Sequence, residues 1–277
     1  SQEVDFDSPE GWGMSYMSSA SLNLSNSFPD DHEFGKIIID AEISSIPKLK
    51  KEQQRIGFGG FKYEDLNKSP LFGRGKIKVG FYRGWILEFS YTPSLEIKGA
   101  KPKNLYGVAI SKKFFDDQIN KLGLRLYSLT GGAFADVTCS KNVVSQPPFS
   151  EGNPSGCIGT SNDKMNFDHK GVEMIYARNI SNNKFKPWIA VALTKIEPSV
   201  RIDAPLETIR EIALVETKGT INTLSFGLNY ELNKDWTLNL GSSYTPLDVY
   251  RQSPTGGNDN FWNLRIGASF KADSLFN

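Results

Sequence analysis

Residues 236–246 read Trp-Thr-Leu-Asn-Leu-Gly-Ser-Ser-Tyr-Thr-Pro (WTLNLGSSYTP). Trp236, Leu238, Leu240 and Tyr244 fall on one side of an extended chain, and Thr237, Asn239, Gly241, Ser243 and Thr245 on the other. A period of two marks a β-strand with one apolar face. The aromatics stand at the ends of that face. At about 3.4 Å per residue Trp236 and Tyr244 lie roughly 27 Å apart, which tilt shortens to about 20 Å. That approaches the height, about 25 Å, of the apolar band between the two aromatic girdles of a membrane barrel. Trp85 and Tyr91 bracket a second face of the same kind. The four residues Trp85, Tyr91, Trp236 and Tyr244 are therefore candidate girdle residues.

Outward from this stretch the same alternation recurs. It places Trp12, Met14, Tyr16, Ala20, Leu22 and Leu24 on one face of a first strand over 12–24. It recurs at Ile37 to Ile43, Ile77 to Phe81, Leu122 to Leu126, Leu224 to Leu232 and Trp262 to Phe270. Soluble sandwiches also alternate, but their strands average five or six residues, and several of these reach about ten. Ten tilted residues span a bilayer core. Short connections (83–84, 181–184, 233–235) alternate with long ones (139–165, about 204–212, 251–259), as periplasmic turns alternate with outer loops. The alternating segments number eleven. Bacterial single-chain barrels hold an even number, and 55–63 (RIGFGGFKY) supplies a twelfth. The expectation is an all-β, antiparallel, up-and-down transmembrane barrel of twelve strands. It forms one domain over residues 1–277, in the bacterial outer membrane, with its C-terminus periplasmic.

Composition agrees. Lys and Arg number 32 against 31 Asp and Glu, for a formal charge of +1. That leaves no basic surplus with which to offset nucleic-acid phosphate. Hydrophobic residues are only 39%, while aromatics reach 12% and glycines number 25, which suits strands and turns rather than a helical bundle. No run approaches the roughly 18 apolar residues of a membrane-spanning helix. The chain opens Ser1-Gln2-Glu3-Val4-Asp5 with no basic or apolar leader, so it is read as a mature exported chain. The two cysteines, Cys139 and Cys157, flank a stretch rich in Pro, Gly, Ser and Asn. Such a loop of about 19 residues suits a disulfide worth roughly 3 kcal/mol. Two free thiols are the alternative.

At the C-terminus, Arg265, Gly267 and Phe270 match the spacing of the assembly signal of Gram-negative outer-membrane β-barrels, and the chain resembles those proteins. It continues past the aromatic through KADSLFN at 271–277. Several blocks resemble, more narrowly, a widespread family of exported barrels. They are FDSPEGW at 6–12, IGFGG at 56–60, EDLNKSPLFGR at 64–74 and YTPLDV at 244–249, with the two cysteines between them. The resemblance implies the fold and no activity.

Chemistry-bearing residues are sparse. The two histidines, His32 and His169, lack the serine that outer-membrane phospholipases carry shortly after their histidine. Omptin-like proteases use Asp and His at the outer rim, but adjacent Asp168 and His169 point to opposite faces of a strand. His169 is expected to be a solvated rim residue. No cofactor, metal site or catalytic residue is assigned. The inward faces carry charge instead. Lys76, Lys78, Glu88, Arg125, Glu231 and Arg265 are candidate lumen-lining residues, in company with Asp40, Glu42 and Glu173. Buried without water or partners, each would cost several kcal/mol. They line water, or they pair across the barrel and plug it. The leading expectation is a channel or uptake route for a small solute. The alternative is a non-conducting scaffold that binds a protein or lipid through its loops or wall.

Overall fold

The computed structural model describes residues 1–30, 32–180 and 184–272. Ten antiparallel strands close into a ring. They are β1 (Ile37–Ser45), β2 (Leu71–Phe81), β3 (Trp85–Thr92), β4 (Ala100–Asp116), β5 (Asn120–Ala135), β6 (Asp163–Arg178), β7 (Phe185–Ile196), β8 (Gly219–Glu231), β9 (Trp236–Thr245) and β10 (Phe261–Lys271). Chain neighbours are ring neighbours, and β10 pairs with β1 from Arg265↔Ser44 to Lys271↔Ile38 to close the seam. One end carries the short connections 82–84, 117–119 and 232–235. The other carries the long ones, 46–70, 93–99, 136–162, 197–218 and 246–260. The short turn expected at 181–184 falls on residues 181–183, which lie outside the described residues, as does the tail 273–277.

The ring holds ten strands rather than twelve, and the two missing ones have separate causes. Residues 12–24 are no strand. Pro9–Ala20 is a helix, α1, capped by Ser8, whose hydroxyl accepts from the Gly11 N–H at 3.1 Å. Pro9 presets the first turn and Glu10 complements the helix N-terminus. The helix is enclosed by the long-loop end of the barrel, so its whole circumference is buried. Its small polar residues tolerate this because Ser15 and Ser19 donate back to the Gly11 and Ser15 carbonyls at 2.8 Å. Residues 55–63 form only a stub hairpin, Arg55↔Tyr63 and Gly57↔Lys62, in the loop 46–70. Phe58, Gly59 and Gly60 turn its tip with φ of 52°, 74° and 110°.

Three further strands stand outside the ring at the long-loop end. Ser199–Pro205 and Arg210–Glu216 make a rim hairpin across the expected 204–212 loop. It pairs with β6 at Lys164, Met165 and Asn166, and Gln2–Glu3 adds in parallel to its edge at Val215 and Glu216. Outward ring positions are apolar and half-exposed, as at Ile77, Phe89, Val108, Leu126, Val191 and Ile266. Inward positions mix polar and charged residues, as at Asp40, Lys76, Glu88 and Arg125, with buried apolar ones, as at Leu105, Leu129, Ile175 and Trp188.

Candidate functional site

After α1 the chain descends through the lumen. Residues 21–26 form an extended, buried strap, and the ring grips its main chain. Arg74 donates to the Ser21 and Leu22 carbonyls at 2.6 and 2.8 Å. Arg125 donates to the Asn23 carbonyl at 2.6 Å, Lys76 to Leu24 at 2.7 Å and Arg265 to Ser25 at 2.9 Å. Below these, Lys78 donates to the Asn26 side-chain oxygen at 2.6 Å and Lys121 to Asp30 at 2.8 Å. The carboxylates hold the donors of the strap. Glu173 accepts from the Ser25 N–H at 3.1 Å and Asp40 from the Asn26 amide at 3.0 Å. The wall makes room with glycine: a Cβ at Gly107 would run into Asn23, and one at Gly123 would sit 2.6 Å from Pro29.

The same charges pair with one another. Arg125 bridges Glu88 at 2.7 Å and Glu173 at 3.1 Å; Lys76 lies 3.4 Å from Glu88, and Lys78 3.0 Å from Asp40. Among the described residues, five of the buried cations (Arg74, Lys76, Lys78, Arg125, Arg265) face four of the buried carboxylates (Asp40, Glu42, Glu88, Glu173) in the middle of the lumen. The surplus donors are those that take the strap carbonyls. Of the six candidate lumen residues, Lys76, Lys78, Glu88, Arg125 and Arg265 meet in this network. Glu231 stands apart near the short-turn end, paired with Lys186 at 2.7 Å. It lines a vestibule of about 590 Å³ that reaches up to Arg125. The sequence reading missed Arg74, which continues the period-two series Arg74, Lys76, Lys78. It also missed the strap, whose Ser, Leu and Asn residues carry no charge to announce it.

A second feature lies between α1 and the wall at the long-loop end, a chamber of about 300 Å³. Met14 and Met17 line it from α1, Ile46, Ile56 and Leu66 from the loop above, and Leu105, Met165 and Phe167 from the ring. The rim hairpin adds Val200, Ile202 and Val215. Its few charged lining residues are mostly paired. Lys68 bonds Asp65 and Asp136, each at 2.9 Å, and Asp163 accepts from the Thr138 N–H and the Ser161 hydroxyl. Glu64 is different. Lys62 holds its Oε1 at 3.0 Å, but its Oε2 is buried with no partner among the described residues. Burial raises its pKa to about 7 against the pull of Lys62.

Cys139 and Cys157 form a disulfide that packs against Ala204, Ile202 and Leu206 of the rim hairpin. The loop it ties thus joins the wall of the long-loop end. His169 is not a solvated rim residue: it points inward and is fully buried, edge-on to Phe167. Exposed Asp168 points the other way. Trp85 and Trp236 stand near the short-turn end of the ring, beside Phe81 and Phe270, and Tyr91 and Tyr244 near the other end, beside Tyr106 and Trp262.

No family model matches the sequence, and no curated protein matches it. Among solved structures, the outer membrane protease OmpT from Escherichia coli is similar at 10% identity and a TM-score of 0.45, with 91% of this chain and 99% of that one covered. The translocator domain of the autotransporter NalP from Neisseria meningitidis is similar at 7% identity and 0.47, covering 95% and 98%. A KdgM porin, in complex with disordered oligogalacturonate, is similar at 10% identity and 0.35, covering 84% and 98%. OmpT and KdgM are Gram-negative outer-membrane β-barrel proteins. Likeness at this level assigns no role, and the barrel of this chain rests on its own strand pairing.

Proposed function

We propose that this protein is an outer-membrane barrel that is closed to solutes as folded, and that its working end is the long-loop end, where the chamber receives a hydrophobic group. The occupied lumen carries this reading. Each cation that a channel would turn toward water instead donates to the strap or to a buried carboxylate. A solute passing through would have to break at least five charge-assisted hydrogen bonds, each roughly twice as strong as a neutral one. Membrane embedding is supported by the half-exposed aliphatic belt and by aromatics near both of its edges. The short turns at the C-terminal end of β10 support a periplasmic side for that end.

Single-channel recording of the refolded full chain in a planar bilayer tests the closed lumen. The expected trace is flat in a preparation whose folded barrel migrates differently from its heated form. Discrete steps at low voltage would overturn the reading. The vestibule below Arg125 favours a second reading, a small-solute route that opens when the strap leaves. Steps that appear only above a voltage threshold would support that one.

A further inference from the structure

Beside the chamber one strand of the ring stops short. Strand β3 pairs with β2 no higher than Gly75↔Tyr91 and with β4 no higher than Thr92↔Leu105. On either side the wall continues: β2 runs on to Leu71, paired with Ser45, and β4 extends to Ala100, paired with Ala135. Above Thr92 the ring therefore lacks one strand, and neighbouring strands lie about 4.8 Å apart, so the notch is about one chain wide. Pro93 ends β3, and Pro102 on the far bank has no N–H with which to recruit a strand across the notch. On its other side, against β5, β4 carries a bulge between Lys103 and Tyr106 and then pairs on to Ala100↔Ala135, so the far bank is a continuous wall.

Both banks of the notch line the chamber, through Leu71 and Phe72 of β2 and Pro102 of β4, and so do Leu95 and Ile97 of the connection 93–99. Leu71, Leu95 and Ile97 are at the same time exposed, at 44%, 68% and 39%. They carry the apolar outer belt upward past the stacked pair Tyr91–Tyr106, with ring centroids 5.3 Å apart, and into the chamber. Beside the notch stand three exposed lysines, Lys98, Lys101 and Lys103, with Glu96 the nearby acid in the same loop.

We propose that the chamber takes one acyl chain of a phosphate-bearing lipid of the surrounding membrane, which enters sideways through the notch and leaves its phosphate against Lys98, Lys101 and Lys103. The inference rests on the reading of the chamber as a hydrophobic site and names its occupant. Size supports a single chain. A chamber of about 300 Å³ is twice the roughly 150 Å³ cavity that accepts benzene, and at the lower end of ligand sites. Continuity with the belt supports a lipid over a water-borne ligand, and the lysines support an anionic head.

The test uses the full chain in vesicles of phosphatidylcholine doped with phosphatidylglycerol whose acyl chain carries a diazirine. After irradiation, mass spectrometry maps the adducts. Adducts are expected on chamber residues such as Met17 and Met165 as well as on belt residues such as Phe89 and Val108. Ala133→Phe fills the chamber and should remove the inner adducts while the belt adducts persist, which also shows that the variant is folded and embedded. K101Q with K103Q should lower the inner adducts several-fold, and a diazirine phosphatidylcholine should give correspondingly fewer. Adducts on the belt alone, or inner adducts that survive Ala133→Phe, would overturn the proposal. Equal inner labelling by both lipids would overturn its anionic head. A parallel titration with N-phenylnaphthylamine separates the two readings. If that probe binds and Ala133→Phe abolishes its binding while lipid adducts stay on the belt, the hydrophobic chamber stands and lateral lipid entry falls. If neither binds, both fall.

Discussion

Arg125 is the residue on which the lumen network turns. It binds Glu88, Glu173 and the Asn23 carbonyl at once, and it is 1% exposed. Arg125→Ala leaves two carboxylates buried without their main counter-ion, and the expected cost is about 3–5 kcal/mol, read as a lower denaturant midpoint of the refolded barrel. Glu64 makes the second prediction. Its pKa in the fold, about 7, stands above the ordinary 4.5. A raised carboxyl pKa means that the native state prefers the proton, so the contribution is full below about pH 4.5 and is lost as pH rises through about 7. Packing of the loop 46–70 should weaken across that window by up to about 3 kcal/mol. Faster amide exchange in that loop at about pH 8 than at about pH 5, after correction for intrinsic rates, would show it, and Glu64→Gln should flatten the difference. The inward charges were readable because a strand's period of two is strict. Their partner was not, because main-chain carbonyls are the same in every sequence.

At the scale of elements, the strands of the ring were legible and the plug was not. Both kinds of segment present an apolar residue at alternate positions. In 236–245 the alternation reflects two environments, the exposed outer face and the lumen. In 12–24 it is accidental, since α1 is buried nearly all round and Ser15 and Ser19 bond back to its own carbonyls. The helix did leave a mark in Ser8-Pro9-Glu10, a cap, a preset first turn and an acid at the N-terminus. The notch was beyond reach, because where β3 stops relative to its neighbours is a matter of register. The disulfide is an element-scale constraint as well. Replacing Cys139 and Cys157 by Ser should loosen the loop between them and the rim hairpin packed on it, by about 3 kcal/mol at most. Limited proteolysis should then cut within 140–156 while the ten-strand ring stays intact and heat-modifiable.

For the whole molecule, the apolar belt is the feature that decides where it resides. Val191 lies midway along β7 and is 56% exposed. In lipid, Val191→Arg should destabilise the folded barrel by about 2–4 kcal/mol, the cost of a basic side chain near the midplane of a barrel's lipid face. Refolding equilibria in vesicles measure this directly, and an effect below about 0.5 kcal/mol would argue that this face meets water. Fold class followed from composition and period together. The strand number did not, since parity is a rule about closed rings and says nothing of which segments enter one.

The path of residues 21–30 also sets an order of events in assembly. The seam joins β10 to β1, the last strand of the ring to the first. The strap that precedes β1 lies inside the ring that this seam closes, with α1 seated above it at the long-loop end. Once the seam has zipped, the strap could reach its place only by threading, and a folded α1 could not follow it from below. The earliest part of the chain must therefore wait in position, unfolded or loosely held, until the latest part arrives to enclose it. Ring closure becomes the step at which two errors compete: a seam that shuts on an empty lumen, and a plug that folds before there is a wall to receive it.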